Sequence, residues 1–304
     1  METKEKIVVT GALGYSGKVI AEKLLERNYQ VKTITNSLNK PNPFGDKIEM
    51  DSFNFEKPEK LTAALTGYDV LINTYWVRFN HNNFNHSTAV ANTKILFECA
   101  KKAGIKKIVH VSITNPSVNS ELEYFKGKGD LETYLKALGV NYSIIRPAVL
   151  FGKQDILINN IAWVIRHLPI FGVYGKGDYK IQPIHVDDFA DLIINECFNT
   201  TNTIVNAIGP ETFTYKELVK TIMDIINVKK RIINTAPYLG YLAGKWVSFL
   251  KNDVTITREE IKGLMDNLLY VETAPTGKIK LTDWAKQNKQ TLGTTYASEL
   301  ARRK

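Results

Sequence analysis

The chain has 304 residues, 44% hydrophobic and 23% charged, enough to bury the core of one large domain or two smaller ones. It contains no run of about 18 apolar residues, which excludes a membrane-spanning helix. The net charge of +9 comes from dispersed lysines with no Arg-rich or aromatic-interleaved basic motif, so a solvated basic surface is expected and a nucleic-acid partner is not.

The first expected strand, KIVVT (6–10), follows so closely on METKE that no signal peptide fits before it. Cys99 and Cys197 fall in apolar helical patterns and suggest no disulfide framework, and no His or Cys spacing suits a metal. A cytoplasmic protein is expected. After KIVVT the sequence alternates helical patterns with short β-branched runs: QVKTIT (30–35), KIEM (47–50), DVLINT (69–74), KKIVHVS (106–112) and NYSIIRP (141–147). Helical stretches lie between them, GKVIAEKLLERN (17–28) and STAVANTKILFECAKKAG (87–104) among them. Near-continuous apolar strands alternating with helices predict an α/β fold, a doubly wound parallel sheet of the Rossmann type over residues 1–150.

Past Pro147 the alternation loosens. DILINNIAWVIRHL (155–168) reads as a helix, and VDDFADLIINECF (186–198) as another, capped by Asp187. FTYKELVKTIMDII and ITREEIKGLM carry capping boxes from Thr214 to Glu217 and from Thr257 to Glu260. These elements predict a smaller, mainly helical substrate cap over 151–304, interleaved with the first domain around 181–210. The most apolar helix candidate, residues 236–253, is expected to be buried on that cap. The other reading is contact with a membrane surface or cover for a hydrophobic substrate.

TGALGYSG places Gly11, Gly14 and Gly17 between the first strand and the first helix. There the backbone must approach a pyrophosphate, with the helix N–H groups and dipole facing the anion. The spacing is G-x-x-G-x-x-G. After the second strand, an NAD-binding chain would carry a carboxylate for the adenine ribose. This one has Asn36, Ser37 and Lys40, which would accommodate a 2′-phosphate, so NADP(H) is favoured over NAD(H).

Taken together, TGALGYSG, AVANTKILFECAKKAG, VHVSITNPS, YFKGK, IIRPAVLFG and IQPIHVDDFADL resemble the short-chain dehydrogenase/reductase superfamily in its extended and atypical branches. The likeness covers roughly residues 5–210. The chain looks most similar to the atypical members around the 39-kDa accessory subunit of respiratory complex I, with NmrA-like sensors further off. The resemblance implies pyrophosphate contacts at Gly11, Gly14, Tyr15, Ser16 and Gly17, and an adenine site at Asn54 and Phe55. It further implies a dinucleotide path past Thr74, Tyr75 and Asn92, and a nicotinamide site lined by Pro147, Ala148 and Val149. Ser112, Tyr124 and Lys128 follow in the order of the family's catalytic residues.

Tyr124 and Lys128, four apart, share a helix face. An ammonium one turn from a phenol stabilises the phenolate, so Tyr124 would pass a proton to or from a substrate oxygen. Lys128 would also bind the nicotinamide ribose, and Ser112 would orient the substrate oxygen. Candidate pocket walls are NTYWVRFNHNNF, DILINNIAWVIRHLPIFGVYG and IQPIHVDD, with Tyr75, Trp76, Phe79, Trp163 and Tyr174 as aromatic lining. Arg78, Asn159, Asn160 and His185 are the polar candidates. The expected activity is an NAD(P)(H)-dependent oxidoreductase for an apolar carbonyl, enone or quinone-type substrate. The alternatives are a non-catalytic dinucleotide-binding protein, structural or redox-sensing, and a nucleotide-sugar epimerase or dehydratase.

Overall fold

Ile7, Val8 and Val9 of KIVVT have no exposed surface in the computed structural model of the chain, which describes residues 5–81 and 84–303. The elements of the first half are β1 (Lys6–Thr10), α1 (Tyr15–Glu26), β2 (Gln30–Ile34), β3 (Ile48–Asp51), α2 (Pro58–Leu65), β4 (Val70–Asn73), α3 (His86–Lys102), β5 (Lys107–Val111), α4 (Glu123–Ala137) and β6 (Asn141–Pro147). There follow β7 (Val149–Phe151), α5 (Leu157–His167), β8 (Ile170–Tyr174), β9 (Lys180–Ile181), β10 (Pro183–His185), α6 (Val186–Cys197) and β11 (Thr203–Ala207). The chain continues with β12 (Phe213–Thr214), α7 (Tyr215–Ile225), β13 (Arg231–Thr235), α8 (Pro237–Lys251), α9 (Arg258–Met265), α10 (Leu281–Gln287) and α11 (Glu299–Arg303).

The chain forms two compact units, residues 1–147 with 189–206 and residues 148–188 with 207–304. The first is built on a seven-stranded sheet of order β11-β6-β5-β4-β1-β2-β3. Neighbours from β3 through β6 pair in parallel, for example Ile7 with Val31 on one side and with Val70 on the other. Parallel strands need a crossover, and helices supply it; Leu96, Phe97, Leu131 and Leu135 bury against Val8, Leu71, Ile108 and Ile144. The strand order reverses between β1 and β4, so a crevice opens at their C-terminal ends, the place where open α/β sheets bind ligands. Among the described residues, the six non-glycine residues with left-handed backbone are all asparagines, Asn28, Asn227, Asn252 and Asn267 lying just after helices. Asn bears this conformation at lower cost than other residues with a Cβ.

The second unit has its own core, in which Ile158, Ile161 and Ile165 of α5 pack with Leu218, Val219 and Ile222 of α7 and with Trp284. Three two-stranded sheets, β7 with β10, β9 with β12 and β8 with β13, accompany the helices. Both capping boxes form as expected, Thr214 with Glu217 and Thr257 with Glu260. Two expectations are corrected. Helix α6 starts at Val186, so Asp187 stands inside its first turn; its N–H bonds the His185 ring at 3.2 Å. Helix α8 is not buried: Trp246 is 62% and Phe249 83% exposed. Its glycines explain this. A Cβ on Gly240 would lie 2.4 Å from the Tyr174 ring and one on Gly244 2.9 Å from Ile256, so α8 packs through its small face and leaves the large side chains outside.

Candidate functional site: the crevice at the end of the sheet

The turn after β1 is set by two glycines. Gly11 has φ +67°, and its carbonyl accepts the Gly14 N–H at 2.8 Å. A Cβ on Gly17 would stand 2.3 Å from the Gly11 oxygen, so only glycine lets α1 begin this close to the strand. Gly14 caps α1 without a side chain and the first turn holds no acid, leaving the early amides and the positive end of the helix to an anion. The cradle fits a pyrophosphate. Tyr15 and Ser16 open that helix, both half-buried.

Across the crevice, Thr10 ties β1 to the end of β4. Its Oγ1 donates to Asn73 Oδ1 at 3.1 Å and accepts the N–H groups of Thr74 and Tyr75 at 2.8 and 3.0 Å. Thr74 Oγ1 in turn donates to the Thr10 carbonyl. Tyr75 packs on Phe53 and Phe55, with ring centroids 4.8 and 5.3 Å apart, and its hydroxyl accepts from Asn92 Nδ2 at 3.0 Å. Burial pushes the Tyr75 phenol upward, against the opposing effect of the Asn92 bond. Asn54, at φ +47°, turns its amide to the Ser52 carbonyl. Thus Phe55, Thr74, Tyr75 and Asn92 form one connected wall. Beyond β2, Ser37 N–H donates to Thr35 Oγ1, Lys40 N–H to the Ser37 carbonyl, and Asn36 is exposed. Pro147 closes β6, its carbonyl accepting the Thr114 N–H at 3.1 Å; Val149 opens β7 in the second unit.

Tyr124, Lys128 and Glu132 lie at i, i+4 and i+8, one face of α4. Lys128 is 2% exposed; its Nζ donates to the Val111 carbonyl at 2.7 Å and stands 4.2 Å from the centre of the Trp76 indole. Burial is the dominant cause that drops its pKa to about 7, with Glu132 opposing. Tyr124 meets Trp76 and His86 edge-on, each at 5.6 Å, and those two stack at 5.7 Å. Ser112 donates to Glu132 Oε1 at 2.6 Å, and Arg146 clamps both oxygens of the same carboxylate. A buried carboxylate held by guanidinium and hydroxyl is well compensated. With its proton committed to Glu132, Ser112 Oγ has only lone pairs to offer, so it suits a hydroxyl donor better than a carbonyl.

The sequence reading missed Trp76 as the cover of Lys128, and missed Glu132 and Arg146 altogether. A carboxylate four residues after a lysine in YFKGKGDLE was the available signal for Glu132; nothing local announced Arg146. The two glycines of this stretch have separate reasons. A Cβ on Gly127 would lie 2.9 Å from Trp76, and one on Gly129 2.7 Å from the Ser117 and Val118 backbone. Of the expected pocket residues in the second unit, Trp163 stacks on His167 and Tyr174 belongs to the core. Asn160 exchanges two hydrogen bonds with Ala297, and Asn159 bonds Asp155. Asn82 and Asn83, within the expected wall NTYWVRFNHNNF, lie outside the described residues. Arg78 lies against Phe79, its guanidinium carbon 5.6 Å from the ring centre.

Known proteins resemble this chain over much of its length. Residues 11–160 match the family model described as NAD(P)H-binding. The NADH-ubiquinone oxidoreductase 40 kDa subunit of Neurospora crassa is 26% identical over 234 residues, 74% of this chain and 61% of that protein. The chain spans about three fifths of the length of the first such curated relatives. Among solved structures, Citrobacter triphenylmethane reductase complexed with NADP(H) superposes with a TM-score of 0.75 at 15% identity, over 93% of this chain and 99% of that one. A nucleoside-diphosphate-sugar epimerase from Staphylococcus aureus gives 0.72 at 17%, over 97% and 99%. At such identities these structures speak to the fold alone. Residues 11–160, with their glycine cradle at the switch point of the sheet, match the NAD(P)H-binding family model, and the chain is similar to the complex I 40-kDa subunits.

Proposed function

We propose that the protein is an NADP(H)-dependent oxidoreductase of the short-chain dehydrogenase type, acting on an apolar carbonyl, enone or quinone-type substrate. The observation that carries this reading is Lys128, a buried amine with a pKa near 7, one turn after Tyr124 and against the end of β5. A lysine brought so close to neutrality exchanges a proton readily at physiological pH, which a merely structural lysine has no need to do. The dinucleotide, when bound, supplies or accepts the hydride. The amides after Gly11 hold its pyrophosphate, while Asn36, Ser37 and Lys40 receive the 2′-phosphate. Tyr124 Oη exchanges a proton with the substrate oxygen, and Lys128 Nζ holds the proton that balances it. Trp76, Tyr75 and Phe55 keep water from the crevice.

A second reading is favoured by one specific observation: Ser112 and Lys128 are both bonded inside the protein, to Glu132 and to the Val111 carbonyl. A chain that only holds its dinucleotide, as a structural or redox-sensing element within a larger assembly, would look like this. Cofactor exchange separates the two. Bound NADPH would be chased with excess oxidised dinucleotide while a panel of apolar quinones, enones and ketones is screened for NADPH consumption. Exchange within seconds, with a consumed substrate and a loss of about a hundredfold in Tyr124→Phe, is expected of the oxidoreductase. Retention for hours with no consumption would leave the second reading.

A further inference from the structure

Helix α8 turns an apolar face to solvent. Tyr238, Leu242, Trp246 and Phe249 recur at intervals of four, four and three residues, which places them on one side, with Leu239 and Leu250 beside them; all six are exposed. The helix carries no carboxylate, and its only charges are Lys245 and Lys251. Lys245 flanks the apolar face, its Nζ 5.5 Å from the Tyr241 ring centre. Beside the start of α8 lies a cavity of about 400 Å³, where Tyr238, Tyr241 and Met265 form apolar wall and Arg258 and Lys262 outnumber Asp266. Asp253, just past the helix, is buried and turned inward, accepting from the Tyr296 hydroxyl and the Glu299 and Leu300 amides.

We propose that α8 docks this protein on an anionic lipid surface. At 15 residues the helix is about 22 Å long, short of the roughly 30 Å hydrocarbon thickness, and no helix among the described residues is long and apolar enough to cross a membrane. It therefore lies in the plane of the interface. Trp246, Phe249 and Leu242 enter the boundary between headgroups and acyl chains, where aromatic rings are favoured. Lys245, Arg258 and Lys262 meet the lipid phosphates. Charge selects the occupant: an apolar helix free of carboxylates, beside which Arg258 and Lys262 outnumber Asp266, suits an anionic lipid surface, a match that a neutral protein surface would not exploit.

The test is sedimentation of the full chain with vesicles of phosphatidylcholine alone and of equal parts phosphatidylcholine and phosphatidylglycerol. Binding to the mixed vesicles is expected, weakened by salt and accompanied by a blue shift of Trp emission that Trp246→Phe removes. Phe249→Ser should lower that binding roughly tenfold or more while NADPH binding and the melting temperature stay unchanged. The proposal is overturned if neither vesicle binds the protein, or if Phe249→Ser binds as well as the parent. It is also overturned if light scattering finds a dimer that Phe249→Ser dissociates and that does not bind vesicles, which would assign the face to a second copy of the chain.

Discussion

Lys128 faces Trp76 across 4.2 Å, an ammonium over an indole in a site where the amine has one hydrogen bond, to the Val111 carbonyl. The arrangement makes the stability of the first unit depend on pH in a definite direction. Below about pH 7 Lys128 is charged folded and unfolded; above its ordinary 10.5 it is neutral in both. Between these values only the unfolded chain holds the proton, so stability rises with pH across that window, by an amount of order a few kcal/mol. Lys128→Met should abolish that slope. Urea titrations at a series of pH values from neutral to mildly alkaline would show it, and an equal slope in parent and variant would refute the burial argument.

Gly17 is the least replaceable residue of the dinucleotide cradle. In Gly17→Ala the new methyl meets the Gly11 carbonyl, which is backbone and cannot swing aside. A destabilisation of about 1–3 kcal/mol is expected, together with weakened NADPH binding because the loop must move. Thermal melting and a fluorescence titration would report the two effects separately.

The glycine pair around Lys128 should respond unequally to alanine. An alanine in mid-helix gains about 1 kcal/mol of propensity over glycine. At Gly127 the obstacles are the Trp76 and Val90 side chains, which can shift, so stability should stay within about 1 kcal/mol of the parent while Trp emission changes. At Gly129 the obstacle is the Ser117–Val118 backbone, and a net loss of about 1–3 kcal/mol is expected by chemical denaturation.

Cofactor choice is tested on the loop after β2. Lys40→Ala should lower NADPH affinity several-fold and leave NADH nearly unchanged, since only the former carries the 2′-phosphate. Asn36→Asp should go further and shift binding toward NADH, by repelling that phosphate and accepting from a ribose hydroxyl. Equal losses for both dinucleotides in Lys40→Ala would remove this loop from the specificity site.

Six of the seven strands of the sheet, all but the edge strand β11, could be read from the chain because they are apolar runs with little else to be. NYSIIRP coincides with β6, and the edges of β1 and β2 fall within a residue of those read from KIVVT and QVKTIT. Gly11, Gly14 and Gly17 were legible for a similar reason: a turn between strand and helix imposes a local requirement. What depends on distant partners was not legible. The bond from Ser112 to Glu132 spans 20 residues, and Trp76 reaches Lys128 from the loop after β4. Burial of α8 was misjudged because composition reports how apolar a helix is and not which side its glycines let it pack.

The Glu132 carboxylate has one further consequence. It joins α4 to the residue after β5 through Ser112 and to β6 through Arg146, so rotating or sliding α4 would break several bonds at one buried point. The helix bearing Tyr124 and Lys128 is therefore a fixed wall. Around Lys128 the Trp76 indole, held by ring contacts and not by a hydrogen bond, is the part that a bulky guest would have to displace.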